Sequence, residues 1–333
     1  MTYYNHDLTY PVPPNEAWDI QDPSKMEIFI DVCPRMYFFK YVLGWKSEAI
    51  SNHLHFGTSW HEAQEYLLLN DYSAQNVMLA NEIFLAKYRE VFDEDTDEMF
   101  FPKTPTRAML ALAEYSRIFE SDHRDFKVWE KEGTKMTEIA GTVHVNDEDV
   151  LHFRMDSILE SEKGFFSIDH KTGSSFSAWG WEDAWNMKIQ PNCYNHVLYS
   201  LFDEKDVRYI NMRGTIFTKN KGTKGGKIFD FKECKVVKTR KQMQNWLWHL
   251  NFYIDQLKLN FDWLAESKLE DMLMRAFPMR TWACANYYGH ACEYRAFCEN
   301  WQNPLKRCET TPIGFEIEHW DPSKRDHSSE VSL

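Results

Sequence analysis

Apolar positions repeat along the chain at two different periods, and the change of period divides the sequence. From Ser24, which reads as an N-cap, to about residue 123, apolar residues recur at three- and four-residue spacing, clearest in SAQNVMLANEIFLAKYREVF and RAMLALAEYSRIF. That spacing predicts a mostly helical first third. From about residue 126 the runs FKVWEK, KMTEIAGTVHV, VLHFRMDSILE and FFSIDHK alternate or are rich in aromatic and β-branched residues, which predicts the strands of a meander. A helical stretch follows near 183–202, then strands near 208–218 and 228–237 joined by a Gly/Lys-rich turn, then a long helical pattern from about 240. Helices on both sides of a block of strands predict an α/β or α+β sheet sandwiched by helices.

The ends differ from the body. Residues 1–23 carry Pro11, Pro13, Pro14 and Pro23, and residues 309–333 are polar, so both are expected to be extended or loose flanks. No internal repeat or low-complexity tract is visible. At 333 residues, with 43% hydrophobic and 27% charged, the chain is a folded protein of one large or two ordinary domains, neither collagen-like nor disordered. Seven cysteines are too few for a disulfide framework, no secretory signal is visible at the start, and no apolar run approaches a membrane span. A cytoplasmic protein without a membrane partner is expected. The net charge of −13, taken alone, argues against a general nucleic-acid binder.

The chemistry concentrates in FRMDSILESEKGFFSIDHKTG. Asp169 and Lys171 are two residues apart on one predicted strand, so they share a face. A turn around Ser161 to Gly164 would make a hairpin that brings Asp156 beside Asp169, and Glu138 on the strand before could add a third carboxylate. Carboxylates are the hard oxygen ligands that Mg²⁺ prefers, and a neighbouring lysine can stabilise developing phosphorane charge or position water. Alone, a D-x-K triplet is common on solvated strand faces and carries little weight.

In order along the chain, HFGTSWHEAQEYLL, FRMDSI, SIDHKTG and IQPNCYNHVLY resemble the RecB-like branch of the PD-(D/E)XK nuclease superfamily, nearest to the iron-sulfur nucleases of CRISPR systems and bacteriophages. The resemblance spans roughly residues 25–305. It implies a restriction-endonuclease-like α/β core, a central mixed sheet flanked by helices, with an N-terminal helical region and a C-terminal cysteine-cluster segment. In chain order these are a flank (1–23), a helical region carrying Cys33, Gly57 and His61 (24–125), the nuclease core (126–280), an iron-sulfur segment packed back on the N-terminal helices (281–308) and a loose tail (309–333). It further implies that Asp156, Asp169, His61 and the backbone carbonyl of His170 hold Mg²⁺ or Mn²⁺, and that Lys171 orients or activates water. Glu138 would be the additional acid, and Gln190 with Tyr194, at i and i+4, would line the site and contact the DNA strand. The chain departs from the family name in one place: Met155, not proline, precedes the first Asp.

Cys284, Cys292 and Cys298 are spaced C-x7-C-x5-C, a grouping that suits a soft metal centre, either zinc or an iron-sulfur cluster. Three thiolates need a fourth, which Cys33 or Cys308 could supply; Cys193 and Cys234 read as buried apolar cysteines. One cysteine before and three after the nuclease motifs resemble the 4Fe-4S staple of the same branch, with Cys33 as the fourth ligand.

Charge is uneven. Between Lys219 and Lys241, nine Lys or Arg face Asp230 and Glu233, so the segment carries +7 while the rest of the chain, at −13 overall, is left with −20. Lys219, Lys221, Lys224, Lys227 and Lys235 could therefore grip backbone phosphates, or belong to a merely solvated hairpin. Trp179, Trp181 and Trp185 could stack unpaired bases, although such residues are more often core. The whole predicts a metal-dependent DNase, an exonuclease on single strands or duplex ends with a structural cluster. Recombination or CRISPR-adaptation proteins are conceivable partners, and a non-catalytic DNA-binding or assembly subunit is the alternative.

Overall fold

Side-chain caps start the N-terminal helices. The side chains of Ser51, Ser73 and Thr104 each accept a backbone N–H of the helix that follows, opening α1 (Asn52–Leu69), α2 (Ala74–Arg89) and α3 (Pro105–Ile118). Their apolar faces meet around Phe56, Trp60, Phe84, Tyr88 and Leu112, where Phe217 joins from the sheet. Upstream, Ser24 is not the cap: Asp22 accepts the Lys25 N–H at 2.7 Å and the short helix begins at Pro23, a residue suited to the first helical position because its missing N–H would have no partner there. These are features of a computed structural model, which describes residues 2–174, 180–220, 226–285, 291–324 and 329–332.

Strand β1 (Trp45–Ser47) precedes α1. The strand region holds β2 (Phe126–Val128), β3 (Thr137–His144), β4 (Val150–Ser157), β5 (Leu159–Ser161) and β6 (Gly164–Ser174). Helix α4 (Ile189–Leu201) leads to β7 (Val207–Phe217) and β8 (Phe229–Val236), followed by the long helix α5 (Arg240–Glu266); β9 (Phe315–Ile317) and β10 (Ser329–Ser332) come last. The helical stretch expected near 183–202 is interrupted: a single turn at Trp181–Ala184 is separated from α4 by extended backbone at Lys188.

The meander expected over 126–171 is instead two hairpins in two sheets. β3 and β4 pair antiparallel and take β10 in parallel on the outer edge of β3, while β5 and β6 belong to a mixed five-stranded sheet ordered β8-β7-β6-β5-β2. Within it only β6 and β7 run parallel, which requires a crossover, and α4 provides it. The central mixed sheet flanked by helices is thus as expected.

The separation has a local cause. Continuing the Leu159–Phe166 register of the second hairpin by three residues sets Asp156 opposite Asp169. At that point a side chain replaces the ladder: Asp156 Oδ2 accepts the His170 N–H at 2.8 Å. Two residues on, the Ile158 N–H goes to Met136 O in the other hairpin. The two sheets therefore diverge at the carboxylates.

Among the described residues, both flanks are tied to the body of the protein. Tyr3, Tyr4, Tyr10 and Val12 are buried, Trp18 stacks on Phe261 of α5 at 5.3 Å, and the Tyr3 hydroxyl donates to Val150 O at 2.8 Å. Each fully buried side chain of this size is worth about 1.5–3 kcal/mol, enough to hold an extended segment that has no ladder of its own. At the other end β9 pairs with β1, the Trp320 indole N–H donates to Asp22 at 2.9 Å, and the backbone of β10 lies along β3. Polarity made the tail read as loose, but edge pairing is a backbone interaction that composition does not report.

The turn between β5 and β6 depends on Gly164. Its φ of +124° and a Cβ that would lie 2.1 Å from Asp206 O exclude any other residue without movement of backbone. Gly164→Ala is therefore expected to destabilise the fold by about 2–3 kcal/mol, read as a lower midpoint in urea unfolding. An unchanged midpoint would show that the turn relaxes freely.

Candidate active site

Three strands and one helix deliver the chemistry. The second hairpin brings Asp156 from β4 to Asp169 and Lys171 on β6, as expected. Helix α1 crosses β6 near Gly57, where an added Cβ would meet Thr172 Oγ1 at 3.9 Å, and so carries His61 to the same place. His61 Nδ1 lies 3.0 Å from Asp156 Oδ2. Glu138 stands opposite Asp156 in the β3–β4 register, in a left-handed conformation (φ +45°) that costs on the order of 1–3 kcal/mol. Its carboxylate is held by Arg154, Nη2 at 2.6 Å and Nε at 2.8 Å.

His61, Glu138 and Asp156 each offer a ligand atom within 4.8 Å of the others. Adjacent ligands of an octahedral ion at 2.0–2.1 Å lie about 3 Å apart, the spacing of His61 Nδ1 and Asp156 Oδ2. Asp169 stands beside this group rather than in it, because its Oδ2 is paired with Lys171 Nζ at 2.7 Å. Its Oδ1 is buried with no hydrogen-bond partner among the described residues. A buried, unpaired carboxylate oxygen is costly unless something cationic meets it, so the donor set fits a hard divalent ion.

The electrostatics separate the acids. Burial opposes ionisation of Asp156, but His61 and the His170 hydrogen bond outweigh it and hold its pKa well below the ordinary value. Burial, with Asp156 nearby, pushes Glu138 up to about 7. Burial also raises Asp169, to about 6, against the pull of Lys171. Burial would lower Lys171, yet Asp169 and Asp156 keep it above its ordinary value. The same contest leaves His61 raised by Asp156, whereas burial prevails at His170 and lowers it.

Gln190 and Tyr194 come together on α4. Gln190 donates to the Tyr194 hydroxyl at 2.8 Å, and that hydroxyl donates to Arg154 O. Tyr194 is buried, so it braces β4 from behind; of the pair, half-buried Gln190 is the more open to a strand. Trp181 lies under the sheet, where its ring meets Gly214 so closely that a Cβ there would clash at 2.4 Å. It is core, not a stacking platform. Trp185 lies 6.0 Å from Lys171 Nζ, and Trp179 lies outside the described residues.

Of the expected DNA-binding lysines, Lys219, Lys227 and Lys235 are exposed, with Lys227 paired to Asp230 at 2.9 Å. Lys221 and Lys224 lie outside the described residues. Cys33 is buried near the C-terminal cysteines: it accepts the Arg280 N–H at 3.3 Å, and Cys284, Cys292 and Cys298 are each in electrostatic contact with it and with one another. Cys308 donates instead to Pro304 O at 3.2 Å. Cys193 and Cys234 are buried, as expected.

Two groups escaped sequence reasoning. Lys103, buried on the segment before α3, donates to Thr172 O and Oγ1 at 3.2 and 3.0 Å, and burial pushes its pKa down to about 8. Nothing in its local pattern marks it. Arg154 is two residues before Asp156 on one strand, so its shared face was readable; its pairing with Glu138 was not.

A mixed sheet that splits around a histidine, three carboxylates and a lysine defines an α/β nuclease of the metal-binding kind. The family model for the PD-(D/E)XK nuclease superfamily matches residues 23–299, and the chain belongs to that superfamily. Membership implies hydrolysis of a DNA backbone. A crystal structure from Eubacterium rectale, described as that of a candidate exonuclease, is similar to this chain with a TM-score of 0.42 and 14% identity, over 74% of this chain and 82% of that one. No curated protein matches. No helix among the described residues is long and apolar enough to cross a membrane.

The raised acids have a consequence for stability. In metal-free protein, Glu138 and Asp169 keep protons up to about 7 and 6 that the unfolded chain releases near 4.5 and 3.8, so the folded state binds more protons between those limits and loses stability as pH rises through them. His61, raised, adds the same sign above its unfolded value, and lowered Asp156 acts only below this window. In EDTA the melting temperature is therefore expected to fall from about pH 4.5 to 7, with Glu138→Gln flattening the fall, and Mn²⁺ is expected to stabilise most at the upper end. A flat profile in EDTA would contradict the assignment.

Proposed function

We propose that the protein is a divalent-metal-dependent DNA exonuclease of the RecB-like, iron-sulfur branch of its superfamily. The observation that carries this reading is the 3.0 Å approach of His61 to Asp156, with Glu138 in the same group and the Asp169–Lys171 pair beside it. Exonuclease action on single strands or ends, rather than internal cleavage, is supported by the resemblance of the ordered motifs to that branch.

His61, Glu138 and Asp156 would hold Mg²⁺ or Mn²⁺, with the free Oδ1 of Asp169 facing it. When bound, the ion supplies Lewis-acid polarisation of the phosphoryl oxygen. Lys171 remains protonated at neutral pH and so has no lone pair with which to take a proton. Its role is to orient the attacking water and to oppose the negative charge that builds on phosphorus oxygens. Arg154 holds the Glu138 carboxylate in place through both guanidinium contacts.

A 4Fe-4S cluster on Cys33, Cys284, Cys292 and Cys298 would tie the N-terminal helices to the segment after α5. The mutual electrostatic influence of the four thiols supports that set, and Cys308, turned to the carbonyl of Pro304, is not needed. Buried Arg35 acts electrostatically on Cys298, Cys33 and Cys308 alike, a cation placed where thiolate charge would gather.

Two experiments test the reading. Asp156→Asn, which keeps an oxygen for the His170 N–H, and Lys171→Ala are each expected to lower metal-dependent cleavage of end-labelled single-stranded DNA by about 10²–10³-fold or more, leaving the fold intact, while closed circles resist the wild type. Cleavage of circles would make it an endonuclease, and inactivity on every substrate would favour the non-catalytic subunit. Anaerobically purified protein is expected to be coloured and to contain about four iron and four sulfide per chain, both lost in Cys33→Ser. A colourless, zinc-loaded protein would refute the cluster.

A further inference from the structure

Behind Asp156 lies a buried chain of hydrogen bonds that the reaction itself does not use. Arg213 on β7 donates from Nη1 to the Tyr115 hydroxyl at 2.7 Å and to Asp122 Oδ2 at 2.6 Å. Glu233 receives its Nε at 3.0 Å and its Nη2 at 2.9 Å, and the guanidinium lies 3.8 Å from the centre of the Phe119 ring. Arg213 is thus fixed on every side. Tyr115 Oη lies 3.0 Å from His170 Nε2, and the other ring nitrogen, His170 Nδ1, lies 3.8 Å from Asp156 Oδ2. Tyr115, His170 and Arg213 are all at least nine-tenths buried, so water does not compete for these bonds.

The direction of each bond follows from the donors available. A guanidinium can only donate, so Tyr115 Oη accepts from Arg213 and has one proton of its own to give. Tyr72 spends its hydroxyl proton on Asp122 Oδ2 at 3.3 Å. If Tyr115 gives its proton to His170 Nε2, the imidazole proton sits on Nδ1 and faces a carboxylate oxygen. The reverse arrangement would set the Nδ1 lone pair against that oxygen, which is repulsive.

We propose that Arg213 and Tyr115 are positioning residues for the metal centre: they fix His170 as the tautomer protonated on Nδ1, which together with its backbone N–H orients the Asp156 carboxylate for the metal. The proposal rests on Asp156 as a metal ligand. Ligand-orienting groups of this kind are worth about 10–100-fold in metal affinity or activity when removed. Arg213 lies 57 residues from Asp156 along the chain and reaches it only through two other side chains.

The test uses the full-length protein. Long-range ¹H–¹⁵N correlation on ¹⁵N-histidine protein, metal-free, reads which nitrogen of His170 carries the proton, with His170→Asn assigning the signal. Tyr115→Phe removes the hydrogen bond to Nε2, so it is expected to shift part of the His170 population to the Nε2-protonated form and to weaken Mn²⁺ binding, measured by calorimetry, about tenfold. His170→Asn removes the imidazole through which Tyr115 acts, so adding Tyr115→Phe to it is expected to cost no further Mn²⁺ affinity. The proposal is overturned if Tyr115→Phe leaves the Nδ1 proton in place, or if it weakens Mn²⁺ binding equally on both backgrounds, the mark of lost packing. Asp156→Asn is the control for the underlying reading: undiminished Mn²⁺ binding there would remove Asp156 as a ligand, while the histidine spectra would still decide the tautomer.

Discussion

One hydrogen bond organises this protein: the His170 N–H goes to the carboxylate of Asp156 where a strand carbonyl would ordinarily accept it. A backbone donor in a sheet must be satisfied, and a side chain that satisfies it ends the ladder on that edge. Because Asp156 takes this role, β4 leaves the five-stranded sheet and pairs with β3 instead, which opens a wedge between two sheets. His61, Glu138, Asp169 and Lys171 all project into that wedge. Geometry and chemistry thus come from the same carboxylate.

The wedge is held at a cost. Three carboxylates share a buried volume with one ammonium and one imidazole, and burial raises two of the acids while favourable partners keep Asp156 ionised. Glu138 adds an unfavourable backbone conformation. Strain and unbalanced charge of this sort persist where the surrounding fold is rigid enough to impose them, and they favour whatever cation neutralises them. Here the rigidity comes from Tyr194 braced on β4, from the Arg154 contacts to Glu138, and from the Arg213–Tyr115–His170 chain behind Asp156.

Rigidity also depends on the chain ends. The N-terminal aromatics pack on α5, and Arg35 donates to the carbonyls of Phe277 and Met274 at 2.8 and 3.3 Å. Cys33 and the three later cysteines lie at this junction of remote segments. The Arg35 bonds and the Tyr294 hydroxyl, which donates to Trp45 O at 2.6 Å, join the early and late segments there.

Much of this was legible without coordinates. Helix and strand regions followed the two apolar periods, the Asp156–Asp169 juxtaposition followed from a hairpin turn and the two-residue strand repeat, and the ordered motifs named the superfamily. Apart from the order of the motifs, which spans residues 55–199, those features are local: they depend on spacing within about twenty residues. The packed flanks, the core position of Trp181 and the Arg213 chain were not legible, because each arises between residues far apart in sequence; the split of the sheets and the capture of Asp169 by Lys171 join nearer residues, but which partner a buried group takes there depends on the packing around it. Local periodicity decides which side chains share a face. Only the packed structure decides which faces meet, and therefore which buried charges find partners and which are left for a metal.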